Sequence, residues 1–398
     1  MNTLSSTLLE EVVGGVTGNI FLREFSVTSG KLRVPAGEIE VADVLVLLRG
    51  MALILQVKDR HVSADASSDA LAIWFRKKVR GQAVGQIADT YRYLQEHEGR
   101  VVQNDRGHDT ILSNPDAGAA SSVVIYRAPG TPDFRGAAGA RSSRAGFVHF
   151  VEAGDYLSLC QVLRTPHDLS QYWRFRENTL KHVVRGSHVG EKALVGQFLA
   201  DVSGPPHERY AATFESYLPS HLDYDISGIL QNLGDRVTYR KGGEGDTSHY
   251  HILEELALLP RIALAAFKER LKLCVETVKA GEFRNPSHFA VPNTDCGFLF
   301  APWDRELNIP QEKYLETLTR LSKYTFGTRR QVGLAVSDDG DGFFILWAFL
   351  DEPHTQNPDL DAALAAPGNP LPPTKEKIVP AYYFDSSGLE RVLGRGPE

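Results

Sequence analysis

Residues 37–58 read Gly37-Glu38-Ile39-Glu40-Val41-Ala42-Asp43-Val44-Leu45-Val46-Leu47-Leu48-Arg49-Gly50-Met51-Ala52-Leu53-Ile54-Leu55-Gln56-Val57-Lys58. Two apolar runs, Ile39–Leu48 and Met51–Lys58, flank Arg49-Gly50. Each has strand length and is rich in Val, Leu and Ile, and the pair between them suits a two-residue hairpin turn. With the turn at Arg49-Gly50, Asp43 faces Gln56. Side chains alternate along a strand, so Gln56 and Lys58 share a face, and directly opposed residues point to the same side. The hairpin thus gathers a carboxylate, an amide and an ammonium on one face, with Leu55 and Val57 on the other.

Working outward, Leu8, Leu9, Val12 and Val13 have helical spacing, and Gly14, Gly15 and Gly18 weaken that helix before a strand start near residue 25. The helix carries Glu10 and Glu11. After the hairpin, residues 59–69 are a polar loop, and Ser68 or Asp69 can cap a long helix over Ala70–Glu98. That helix holds the basic cluster Arg76-Lys77-Lys78-Val79-Arg80 and, further on, Gln86. Short strands are predicted at Val101–Asn104, Thr110–Ser113 and Ser122–Arg127. Residues 128–146, small and Gly-rich, predict a mobile loop. Phe147–Val151 and Tyr156–Val162 predict a second hairpin across Glu152–Asp155, and residues 168–200 are mostly helical.

Charged groups at the end of a buried strand are seldom there for packing alone. Phosphodiester hydrolysis needs what this cluster offers. Carboxylate oxygens hold Mg²⁺, which keeps several waters. The ion stabilises charge developing on phosphate and lowers the pKa of a bound water. A neighbouring lysine can orient that water, take its proton or stabilise the transition state.

The pattern resembles the PD-(D/E)XK, or restriction-endonuclease-like, nuclease superfamily. The match is Asp43, a spacer containing a hairpin turn, then Gln56-Val57-Lys58 closing an apolar strand. An acidic helix precedes it and a basic helix follows, in which Gln86-Ile87-Ala88-Asp89-Thr90-Tyr91 is similar to a Gln/Tyr helix element of several branches. The resemblance covers residues 1–165. It implies an αβββαβ core, Mg²⁺ (replaceable by Mn²⁺), a nucleic-acid substrate, most often DNA, and a role such as prokaryotic antiviral defence. It also implies roles: Asp43 as main metal ligand, Gln56 as auxiliary ligand, Glu10 or Glu11 as the further acidic ligand from the first helix, and Lys58 as the residue that positions water. Gln56 departs from the family's middle carboxylate and, being uncharged, weakens metal binding unless an acid compensates. Alternation places Glu40 on the opposite face from Asp43, so the helix acids are favoured.

Other features are weaker. Arg76, Lys77, Lys78 and Arg80 could contact phosphates with Gln86 beside them, but alone read as a solvated helix face. Trp74 and Tyr91 could stack on bases, yet such aromatics are more often core. His249-Tyr250-His251 would share one face of a strand, without a third ligand for a metal. Asp338-Asp339-Gly340-Asp341-Gly342 reads as a hairpin turn rather than a calcium loop, lacking the length and the distal Glu. Gly186-Ser187-His188-Val189-Gly190 is not a nucleophile elbow, and no phosphate-binding Gly-x4-Gly-Lys-(Ser/Thr) loop is present.

The 398 residues, 42% hydrophobic and 23% charged, suit two or three ordinary globular domains and exclude collagen, coiled coil and global disorder. The apolar runs are strand-sized, far short of the roughly 18 residues of a spanning helix, and no export signal is visible at the amino terminus. Three widely spaced cysteines, Cys160, Cys274 and Cys296, oppose a disulfide framework and fit a reducing cytoplasm. The net charge of −7 disfavours indiscriminate nucleic-acid binding. A second α+β region begins after Ser203-Gly204-Pro205-Pro206. It shows a helical stretch Leu253–Ala280 interrupted by Pro260, strand pairs Phe289–Pro292 with Gly297–Pro302 and Gln331–Ser337 with Gly342–Leu350, a helix over 310–324 and an irregular stretch over 353–375.

The expectation is therefore an α/β (α+β) protein: a nuclease domain over 1–165, a helical connector over 166–204 and a second α+β domain over 205–398. The first domain would hydrolyse nucleic acid with Mg²⁺, and the second would recognise a substrate, a protein partner or a second copy. Two alternatives stay open: a nuclease-fold module that binds nucleic acid or protein without cutting, which Gln56 makes credible, and an RNase.

Overall fold

Val44, Val46, Leu53, Leu55 and Val57 are all 2% exposed or less, and so are Leu45 and Ile54 on the other side of the same hairpin. A strand pair apolar on both faces must be covered on both faces, and the computed structural model shows how. It describes residues 4–34, 37–60, 67–114, 120–128, 138–181, 190–217, 225–236, 248–283, 285–291, 294–304, 306, 309–338, 340, 342–367 and 369–373. They fall into two compact units, one within Met1–His221 and one within Leu222–Tyr383.

The first unit opens with helix α1 (Leu4–Phe21), strands β1 (Ser26–Thr28), β2 (Lys31–Val34), β3 (Gly37–Glu40), β4 (Val44–Leu48) and β5 (Met51–Asp59). Helix α2 (Ser68–Trp74) runs through a π-helical stretch, Phe75–Ala83, into α3 (Val84–Glu96). Strands β6 (Val101–Gln103), β7 (Asp109–Ile111), β8 (Ala120–Arg127), β9 (Gly139–Ser142) and β10 (Gly146–Glu152) follow, then helices α4 (Ala153–Val162), α5 (Pro166–Leu180), α6 (Glu191–Leu199) and, after one 3-10 turn, α7 (Ala211–Tyr217). The main sheet is mixed, in the order β1-β4-β5-β8-β10-β9. The β1, β4 and β5 neighbours are antiparallel, β5, β8 and β10 run parallel, and β9 closes the edge antiparallel to β10.

The hairpin register is the expected one. Val44 pairs with Leu55 and Leu48 with Met51, and Gly50 takes the left-handed conformation that the tight turn requires (φ 65°). One sheet face packs Val27, Leu45, Ile54, Val124 and Phe150 against Phe75, Val79, Ala83 and Ile87 of the long helix. Those helix residues recur every fourth position. An α-helix of about 3.6 residues per turn would rotate such a stripe away from the sheet; the wider i→i+5 turn of the π stretch keeps it in place. Helix α1 lies on the other face. A Cβ at Gly14 would sit 2.8 Å from Thr28 Cγ2, so glycine permits the close approach, and the helix runs through Gly14, Gly15 and Gly18 to Phe21.

Several expectations need correction. The run Ile39–Leu48 is not one strand: β3 ends at Glu40, and Val41–Asp43 bridge to β4. There Val41 N–H donates to Gly30 O (2.9 Å) and Ser29 N–H to Asp43 O (2.8 Å). Tyr156–Val162 is helix α4, not a strand, with Glu152 as N-cap accepting from Gly154 and Asp155 N–H. The α2 cap is Ser67, neither Ser68 nor Asp69. Residues 166–204 are not a connector but belong to the first unit, because Arg176 of α5 is buried against Glu191 of α6 and the carbonyls of Ala138 and Phe150. The division between units falls at 221/222 rather than 204/205. Of the loop expected at 128–146, residues 129–137 lie outside the described residues, as do 61–66, Gly186–Val189 and 374–398, and its end forms β9.

The second unit contains α8 (Ser227–Arg236), α9 (Ser248–Ala257), α10 (Arg261–Lys279), β11 (Ser287–Val291), β12 (Cys296–Pro302), α11 (Gln311–Phe326), β13 (Arg330–Asp338), β14 (Phe343–Asp351) and α12 (Pro358–Ala365). Its four strands pair in sequence order, with β12 and β13 parallel and the outer pairs antiparallel. The helical stretch Leu253–Ala280 is interrupted at Pro260, as the sequence suggests, and Pro260 stands at the N-cap of α10. His249 and His251 lie on helix α9, where positions two apart do not share a face, so the paired-histidine reading loses its geometry. Residues 358–365, read as irregular, form α12. The three cysteines are buried and not joined in disulfides, and no helix among the described residues is long and apolar enough to cross a membrane.

Candidate active site

The site is built at the carboxyl end of β5, where it runs past the start of β4. The Val44–Leu55 pairing extended by one step sets Asp43 beside Gln56 and Val57. Asp43 is 8% exposed and Gln56 3%. Asp43 Oδ2 accepts the Val57 N–H at 2.5 Å, which fixes the carboxylate against the strand. Lys58 Nζ donates to Val57 O at 2.9 Å and to Gln56 Oε1 at 3.3 Å, and lies 3.7 Å from Asp43 Oδ2. A carboxylate, an amide and a backbone carbonyl thus offer oxygen to one cationic centre.

Burial pushes the Asp43 carboxyl above its ordinary range, while the Lys58 charge and the Val57 N–H pull it back. Glu10, half-buried on α1, is also raised, first by burial and then by the charges of Asp43 and Glu40, with Lys58 opposing. Helix α1 therefore brings Glu10 into the field of Asp43 although it covers the other face of the sheet. The charge of Glu40 also acts on the Glu10 carboxyl. Glu11 is exposed on the same helix.

Arg76, Lys77, Lys78 and Arg80 are all exposed on the π stretch. Among the described residues, none of them bonds to the Asp43 group. Their outward direction follows from the buried stripe Phe75, Val79 and Ala83. Gln86 is half-buried on α3, and its Oε1 is buried without a hydrogen-bond partner among the described residues. One turn further on, Thr90 Oγ1 donates to Val41 O and so ties α3 to the bridge that carries Asp43. Trp74 and Tyr91 pack against the core.

The backbone of Val57 and the Thr90 clamp escape sequence reading. They are main-chain or long-range contacts. Asp59 also lies at this strand end, where Arg127 of β8 pairs with it through Nε–H (2.9 Å).

Among the described residues, no three His, Cys, Asp or Glu side chains come together as a ready-made metal site. The donor set is instead mixed, with Asp43 and Glu10 as carboxylates, Gln56 as an amide and Val57 as a carbonyl. Hard oxygen donors of this kind suit Mg²⁺ or Mn²⁺ better than a soft metal. Comparison with known protein families, with curated proteins and with solved structures finds no match.

Proposed function

We propose that the first unit is a restriction-endonuclease-like domain that hydrolyses phosphodiester bonds of DNA with Mg²⁺ or Mn²⁺, in the setting of defence against foreign DNA. The observation that carries this reading is the convergence of Asp43 Oδ2, Gln56 Oε1 and Val57 O on the Lys58 ammonium, with Glu10 in electrostatic reach. The chain order supports it. An α-helix, the antiparallel strands β1, β4 and β5, a long helix and the parallel strand β8 follow one another as αβββαβ, with the β2–β3 and β6–β7 ribbons inserted.

Asp43, Gln56 and Glu10 are the residues that would hold the ion, which when bound stabilises negative charge on the phosphate and acidifies a water. Lys58 contributes a point charge and three donors on a flexible stem, suited to orienting an attacking water at the phosphate. The Val57 N–H holds Asp43 in one orientation and lowers the cost of keeping it ionised. Arg76, Lys77 and Arg80, exposed on one long helix, offer phosphate contacts along the substrate.

The absence of a third clustered acid among the described residues, with Gln56 where a carboxylate would serve, favours as second reading a module that binds nucleic acid without cutting. One experiment separates them. Supercoiled plasmid and labelled DNA and RNA of equal sequence are incubated with the full chain and either ion. Cleavage of DNA, lost in both Asp43→Ala and Lys58→Ala with the circular dichroism unchanged, supports the nuclease. Activity surviving both substitutions refutes it. A gel shift without cleavage at any ion concentration establishes the binder, and preferential cleavage of RNA reassigns the substrate.

A further inference from the structure

A cavity of about 880 Å³ opens at the amino ends of β8 and β10, between α3 and α5. Ser121 on its wall lies five residues before Tyr126, the partner of Lys58, so it is about 16 Å from the Asp43 site at roughly 3.3 Å per residue. Four guanidiniums line it, from Arg92, Arg141, Arg144 and Arg174, against the single carboxylate of Glu177. Arg141 engages that carboxylate at 3.0 Å, and Arg92 is held by Asp89 at 3.0 Å on its own helix. Arg144 and Arg174 are exposed and have no ion-pair partner among the described residues. An unneutralised pair of guanidiniums in a concave site attracts an anion with planar, multidentate oxygens.

A buried group on the same wall also points to a ligand, and a second fixes the polarity of that wall. Trp173 is 1% exposed, lines the cavity, and its Nε1–H has no acceptor among the described residues. A buried donor left unpaired is a standing cost that an incoming acceptor removes. His149 is 3% exposed, and its Nδ1 lies 3.1 Å from Arg176 Nη1. Arginine can only donate, so Nδ1 accepts and the neutral ring carries its proton on Nε2. Burial and the Arg176 charge hold the ring neutral. The rings of Tyr91 and Phe147 complete an aromatic wall.

The volume exceeds what a bare phosphate fills and falls within the range of small-molecule sites. Anion-binding arginines, aromatic rings and the buried, unpaired Trp173 N–H together match a ligand with phosphate at one end and a planar heterocycle at the other. We propose that this cavity binds a nucleoside phosphate, with Arg144 and Arg174 taking the phosphate and the Trp173 wall taking the base. The inference goes beyond the nuclease reading and does not rest on it.

The test is calorimetric titration of the full chain with ATP, GTP, adenosine, inorganic pyrophosphate and a short single-stranded DNA. One or both nucleotides should bind at least about ten-fold more tightly than adenosine and than pyrophosphate. The double variant Arg144→Glu/Arg174→Glu, at exposed positions, should weaken that binding by roughly ten-fold or more with an unchanged thermal melt. Trp173→Phe, which keeps a ring and removes the N–H, should weaken it by about three-fold or more. Asp43→Ala should leave it unchanged, so failure of the nuclease reading and failure of this one are separable. No binding of either nucleotide at millimolar concentration overturns the proposal. So does binding indifferent to the charge reversal, pyrophosphate binding as tightly as ATP, or the oligonucleotide outcompeting both nucleotides.

Discussion

Replacing Glu191 by glutamine should destabilise the first unit severely without touching the candidate site. Arg176 is 2% exposed, and its five N–H donors are all engaged. Nε and Nη2 reach the two Glu191 oxygens at 2.8 and 3.0 Å, Nη1 reaches Ala138 O and His149 Nδ1, and Nη2 also reaches Phe150 O. Tyr172 donates to the same carboxylate. Glutamine keeps the shape but removes the charge and turns an amide N–H toward the guanidinium. Breaking a buried pair from one side costs about 3–5 kcal/mol, because a charge stays buried without compensation. Against a total stability of roughly 5–15 kcal/mol, that is a large share. At about 2–4 °C per kcal/mol for a unit of this size, melting should fall by roughly 6–20 °C. Urea unfolding followed by tryptophan emission measures it, since Trp173 packs on His149 and Tyr172. The double variant Arg176→Met/Glu191→Leu should recover most of the loss; Ala138 O keeps the Phe150 N–H as a partner. A loss below about 1 kcal/mol for Glu191→Gln would refute the burial argument.

At neutral pH the raised Asp43 carboxyl is a cost to the fold, since the folded state binds its proton more tightly than the unfolded one, and stability from this group grows as pH falls through its folded value toward the unfolded one. Asp43→Asn should therefore be as stable as the natural chain or more so at pH 7, and a loss above about 1 kcal/mol in urea would contradict this. Manganese should raise the melting temperature of the natural chain and not of Asp43→Asn, by scanning calorimetry, since an ion that binds only the folded site stabilises it. His149 is held well below its ordinary value, so the folded state binds fewer protons than the unfolded one. Stability should be full above about pH 6.5 and fall below it by up to about 1.4 kcal/mol per pH unit; His149→Gln should flatten that slope in urea melts at pH 5 to 7. Gly14→Ala should cost about 1–3 kcal/mol by chemical denaturation, because its methyl would press on Thr28, whereas Gly15→Ala, with open space around it, should not destabilise.

The hairpin was readable from the chain because everything that determines it is local. Arg49-Gly50 sets the turn, alternation sets the faces, and the apolar runs set the strand lengths, so the neighbourhood of Asp43, Gln56 and Lys58 follows from residues 43–58 alone. The strands β8 and β11 to β14 and the helix stop at Pro260 were legible for the same reason. Where two local preferences competed, the reading failed. Tyr156–Val162 has strand-like residues, yet the Glu152 carboxylate caps Gly154 and Asp155 and starts a helix.

What folding alone decided is of another kind. Glu10 lies in the field of Asp43 because α1 packs on the sheet at a distance that Gly14 permits, and the Val41 N–H to Gly30 O and Thr90 to Val41 O bonds hold the bridge that carries Asp43. The π stretch that keeps Phe75, Val79, Ala83 and Ile87 on the sheet and turns the basic cluster outward has no signature in residue type. The arginine cavity draws its wall from α3, β8 to β10 and α5, whose residues lie up to 89 positions apart from Ala88 to Glu177. Contacts of this length carry no periodicity and no turn chemistry. They arise from how covered faces and buried charges find partners in three dimensions, which no window of sequence contains.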